Sequence, residues 1–114
     1  MSAGKLSGQM PKADPLFLEL AVLFRALAHD SECTWSRYSH AEDQMIEAGL
    51  DDNDEAYVFR RGKITRGDTD GEPSHRRYRI EGFTADGVHA GFIVSFSLEE
   101  KWIETVTAFR VKEL

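Results

Sequence analysis

The sequence predicts one α+β domain: an N-terminal helix, a short strand, two short helices, then an antiparallel meander of three to four strands. Three observations predict it. Apolar residues recur at helical spacing from Leu16 to Leu27. Two segments with helix-start chemistry then stop at Gly49 and Gly62. Beyond Gly62 the apolar period shortens to that of strands, with turn residues between the runs.

Each element has a local reason. Residues 1–13 carry Ser, Gly, Lys and Pro without periodicity and read as a tail, which leaves 14–114 as the domain. Asp14 followed by Pro15 is a helix start, an N-cap carboxylate before a proline at the first helical position. Leu16, Phe17, Leu20, Leu23, Phe24 and Leu27 form one stripe, which Leu18 and Val22 widen. A helix this apolar, from Pro15 to His29, is either buried within its own domain or shared with a second copy. Cys33 to Tyr38 reads as a strand. Ser39-His40-Ala41-Glu42 has the pattern of a capping box opening a helix that Gly49 ends, and Asp51 caps the next helix.

After Lys63–Arg66, a strand, comes the loop GDTDGEPS. Arg77 to Phe83 alternates, with Tyr78, Ile80 and Gly82 on one side and Arg77, Arg79 and Glu81 on the other. Asp86-Gly87 marks a hairpin turn before the apolar run Val88–Leu98. A second tight turn at Glu99-Glu100-Lys101 leads into the last strand, Trp102–Val111.

At 114 residues, with 41% apolar and 30% charged residues, one core suffices to fold the chain. The lone Cys33 has no disulfide partner, and His29, His40, His75 and His89 are too scattered for a zinc site. Asp68, Asp70 and Glu72 lack the pattern of a calcium loop, so neither metal nor cofactor is expected. A reducing, cytoplasmic location is expected. Glu19 and Arg25 interrupt the first apolar stretch, which therefore reads as a core helix rather than a secretory signal or a membrane span.

The net charge of −6 opposes nucleic acid, but the charge is uneven. Every charge from Glu42 to Glu55 is acidic, whereas Arg60, Arg61, Lys63, Arg66, Arg76, Arg77 and Arg79 follow closely. Much of the acidic run belongs at helix starts, where the dipole favours it. A basic face on an acidic protein is the expectation.

The order Ser39-His40-Ala41, Met45, Glu47, Gly49-Leu50, Gly62, Arg77-Tyr78, Phe92-Ile93-Val94 and Ile103-Glu104-Thr105-Val106 resembles the bacterial "domain of unknown function 4258" family. That family is related in fold to the RelE/ParE-type toxins. The likeness covers roughly residues 34–110, and order and spacing carry it rather than any single motif. It implies a RelE-like curved sheet with helices on one face. It also implies descent among endoribonuclease toxins, with RNA or the ribosome as target and an antitoxin protein as partner. Two family arginines are replaced here, by Gln44 and Ala48.

Two functional readings follow. In the first the domain is an endoribonuclease of toxin type. Arg77 and Arg79 hold the phosphate, His40 moves the proton, and Arg66, Lys63 and Tyr78 contact the RNA. The plainer alternatives are that His40 packs at a strand-to-helix corner, that Tyr78 belongs to the core, and that the arginines form a solvated sheet face countered by Glu81 and Glu104. In the second reading the domain is a non-catalytic binding or regulatory module. Gln44, Ala48 and the acidic balance favour it, with the Pro15–His29 helix as a homodimer or partner surface.

Overall fold

The computed structural model describes residues 15–67 and 76–112; the expected tail, the Asp14 cap and most of the GDTDGEPS loop lie outside them. The elements are α1 (Pro15–His29), β1 (Thr34–Arg37), α2 (Ser39–Ala48), α3 (Asp52–Arg61), β2 (Lys63–Gly67), β3 (Tyr78–Phe83), β4 (His89–Ser97) and β5 (Trp102–Arg110). The fold is α+β, as its sequence predicts.

The strands form one sheet in the order β1-β5-β4-β3-β2. β2 through β5 pair antiparallel, as a meander. The short strand that precedes α2 and α3 adds one parallel pair. β1 joins the same sheet at its edge, parallel to β5, with Thr34 opposite Trp102 and Arg37 opposite Thr105. A parallel pair needs a long crossover, and the two helices and the meander between β1 and β5 supply it.

All three helices cover one face. Phe24 of α1 packs edge-on against Phe59 of α3 and Phe96 of β4, and Phe59 packs against Phe92. Phe24, Phe59, Phe92, Ile80, Ile103 and Val58 are the largest fully buried apolar side chains. α3 meets β3 closely at Gly62, where an added Cβ would fall 2.6 Å from the Glu81 carbonyl oxygen and 2.7 Å from that of Val58. Only a residue without a side chain allows this approach.

The wide stripe of α1 is split. Ala21, Phe24, Leu27 and Ala28 are buried, whereas Leu18, Val22 and Leu23 are at least half exposed. The helix is therefore not enclosed on two sides by the described residues.

The capping expectation needs a correction. α2 has no side-chain cap; its N-cap is Tyr38, not Ser39. The Tyr38 amide donates to the Thr105 carbonyl at 2.9 Å, which keeps Tyr38 extended at the end of the ladder. Ser39 is thereby one position too far along to cap. The complete capping box belongs to α3, where the Asp54 amide donates to the Asp51 carboxylate at 2.9 Å and the Asp51 amide to that of Asp54 at 3.0 Å. Gly49 ends α2 in the left-handed conformation, at φ 73°.

Candidate nucleic-acid interface

Strand alternation sorts the side chains of β3. Ile80 and Gly82 face the helices, with Val58 beside Gly82. Arg79, Glu81 and Phe83 face the other way. Their cross-strand partners Ile93, Gly91 and His89 share that second face. The Phe109 ring lies directly over Gly91, where an added Cβ would come within 2.5 Å of it. The Arg79 guanidinium sits over the same ring, 4.7 Å from its centroid. Among the described residues, no helix packs on this face.

Arg79 is tied in place by an ion pair from Nε to the Glu81 carboxylate. Glu81 Oε2 also accepts from the Thr65 hydroxyl at 2.7 Å, and its Oε1 lies 3.4 Å from His89 Nε2. Glu81, from mid-strand, thus joins β2, β3 and β4. Beside this cluster Arg66, Arg77 and Arg79, with Gly67, Tyr78 and Ile93, line a depression of about 190 Å³. Arg66 and Arg77 are exposed. They come together because a register shift between Ile64 and Arg66 turns Arg66 onto the place opposite Arg79.

Of the other residues expected at a site, Tyr78 also lines the depression, whereas Lys63 and His40 do not. Lys63 lies opposite Glu81 at the start of β2 and is exposed. The Tyr78 ring lies 5.2 Å from that of Phe96, on the side of the helices. His40 is exposed in the first turn of α2, not packed into a corner. α2 packs along β5, whereas the arginines stand on β2 and at β3, beyond β4 in the sheet. His40 and the arginines therefore form no common site. Glu104 is not the counter-charge of Arg79; that role falls to Glu81. The residues that sequence reading missed at this face are Phe83, His89 and Phe109. The signal was present as the alternation of β3 and its pairing with β4.

A larger concavity lies elsewhere, a groove of about 710 Å³ lined by Trp35, Arg37, Glu42, Asp52, Glu55 and Arg60 among others. Its charged groups are engaged with one another. Arg37 binds Asp52 and the buried Glu55, each at 2.8 Å, and Glu55 accepts from Thr105 at 2.8 Å. The bond to Glu55, aided by Asp52 and opposed by burial, pushes the Arg37 guanidinium further above its ordinary pKa. Arg60 donates to the Ala28 carbonyl at 3.0 Å and sits over the Trp35 ring. Burial pushes the Cys33 thiol up, away from the reactive thiolate. This groove reads as the closed seam where β1, β5 and α3 meet.

Among the described residues no group of three or more His, Cys, Asp or Glu is placed to hold a metal ion, and no helix is long and apolar enough to cross a membrane. No protein-family model, no curated protein and no solved structure matches the chain.

Proposed function

We propose that this is an RNA-directed domain of the toxin-like class, which takes the phosphate backbone on the helix-free face of its sheet. The observation that supports it is the convergence of Arg66, Arg77 and Arg79 around one depression. The lining of the depression is almost wholly apolar, so these arginines add their positive charge beside it rather than within it, on a molecule whose net charge is −6. Guanidinium grips phosphate in two places and stays charged at every working pH. In a cleaving enzyme the same cations would offset the charge that develops as a 2′-oxygen attacks the phosphate. Groups for proton transfer would come from the same face, where Glu81 and His89 stand 3.4 Å apart, and not from His40. An antitoxin or the ribosome as partner belongs to this proposal through the resemblance alone.

Binding of labelled RNA across a salt series tests the reading. The wild type binds at low salt, and its logarithmic salt slope falls by about 0.7 for each phosphate contact removed in Arg66→Ala, Arg77→Ala and the double variant. Absence of binding at low salt, or a double variant indistinguishable from wild type, sinks it. Cleavage is scored in the same samples, with Glu81→Gln expected to bind but not cut.

A second reading is favoured by the exposed Leu18, Val22 and Leu23 on α1. In it the domain is a non-catalytic module that pairs with a second copy of itself. One helix face can serve both sides of a two-fold interface, so no other partner is required. Sedimentation of the full chain at micromolar concentration decides: a dimer that Val22→Glu dissociates supports this reading, and a strict monomer removes it.

A further inference from the structure

Phe83 closes β3 on the face that carries Arg79 and Glu81, yet it is 55% exposed. Its ring stacks on that of His89 across the hairpin, with centroids 4.5 Å apart and planes 22° from parallel. His89 thus backs one side of the ring, and the rest of it meets water. Further along the same face the Phe109 ring lies over Gly91, with the Arg79 guanidinium over the ring. Arg79 and Phe83 are four positions apart on one strand, on the order of 13 Å at the usual rise per residue.

Cations at one end of a sheet face and an exposed, backed aromatic ring at the other suit one kind of ligand. Phosphates need charge, and unpaired bases need a flat apolar surface. A duplex hides the faces of its bases inside its own stack, so it offers nothing to Phe83. Resting on the reading of this face as an RNA surface, we infer that Phe83, backed by His89, is a stacking platform for an unpaired base of a single-stranded polynucleotide whose phosphates lie on Arg66, Arg77 and Arg79. Stacking uses the π-face that every base has, so the platform selects single strands over duplexes and tolerates any sequence. Phe83 also explains how an acidic protein holds a polyanion: part of the affinity is not electrostatic.

The test is fluorescence anisotropy of a labelled oligouridine, its deoxy counterpart and an RNA hairpin stem, with the full chain and its variants at low and moderate salt. Phe83→Ala is expected to weaken single-strand binding about 5- to 100-fold. The salt slope stays at the wild-type value, because no phosphate contact is lost. Phe83→Leu behaves like Phe83→Ala, and Phe83→Trp restores binding. Thermal melts confirm that each variant folds. If Arg66→Ala and Arg77→Ala weaken binding while Phe83→Ala and Phe83→Leu match wild type, the platform is overturned and the phosphate-binding reading stands. If no polynucleotide binds, both fall. Binding of the stem as tightly as the single strand overturns the platform. Tighter binding of the deoxy strand than of RNA keeps the platform and removes the preference for RNA.

Discussion

Arg37 and Arg79 stand on opposite faces of one sheet and are used in opposite ways. Arg37, on the side of the helices, is ringed by Glu55, Asp52 and, at 3.8 Å, Glu42. Its charge is more than balanced, and its main partner is 5% exposed. Among the described residues Arg79 has one carboxylate, Glu81, and an aromatic ring, and Arg66 and Arg77 line the same depression beside it. The same residue type closes a seam in one place and opens a surface in the other. Counter-charge and burial decide which, and neither is visible from the arginine alone.

The comparison can be broken most severely at the closed seam. Glu55→Ala leaves Arg37 and Thr105 without their buried partner, and urea unfolding is expected to show a loss of about 3–5 kcal/mol. Gly62→Ala comes next. Its new methyl group meets two carbonyl oxygens of the backbone, which cannot swing away as a side chain can, and a loss of about 3 kcal/mol is expected in the same assay. By contrast Gly91→Ala meets only the Phe109 side chain. The ring can move, so about 1 kcal/mol is expected, together with a changed near-ultraviolet spectrum or aromatic NMR signal as Phe109 leaves Arg79.

On the open face the effects are expected in binding rather than in folding. Glu81→Gln removes the carboxylate that offsets Arg79. Stability should fall by no more than about 1 kcal/mol, while RNA affinity in the proposed reading rises by a similar free energy, roughly fivefold. A variant that binds more weakly would mean that Glu81 positions Arg79 rather than masks it. Arg66→Ala and Arg77→Ala should leave the unfolding midpoint almost unchanged, within about 0.5 kcal/mol.

The smallest effect is a pH dependence at the start of β1. The Glu32 amide, then Lys101, whose ammonium lies 3.0 Å from Asp30, hold the Asp30 carboxylate below its usual 3.8. A carboxylate lowered in the fold stabilises above its ordinary pKa, and the contribution is lost as pH falls. Asp30→Asn should therefore be slightly less stable than wild type at neutral pH, and the difference should close as pH falls below about 4. A melt series from pH 3 to 7 reads this directly, and an equal shift at every pH would refute it.

Much of this fold is legible in the sequence because its determinants are local. Pro15, Gly49, Asp51 and Asp86-Gly87 each act within a few residues, through a fixed φ, a left-handed turn or a cap. The period-two pattern of β3 and β4 likewise assigns Arg79 and Glu81 to one side and Ile80 to the other. At Ser39 the local pattern gave way, because Tyr38 keeps a ladder bond to Thr105, far along the chain. A capping motif cannot register a competitor more than sixty residues distant.

What only tertiary structure decided is which distant residues meet. Parallel pairing of β1 with β5 placed Arg37 beside Thr105 and hence beside Glu55. The order of strands put β5 and β4 between His40 and the arginines, and the hairpin laid His89 under Phe83. Sequence periodicity states which side of an element a residue takes, because that follows from backbone geometry alone. Which elements then share a face depends on pairing and register, whose free energy is spread over the whole sheet.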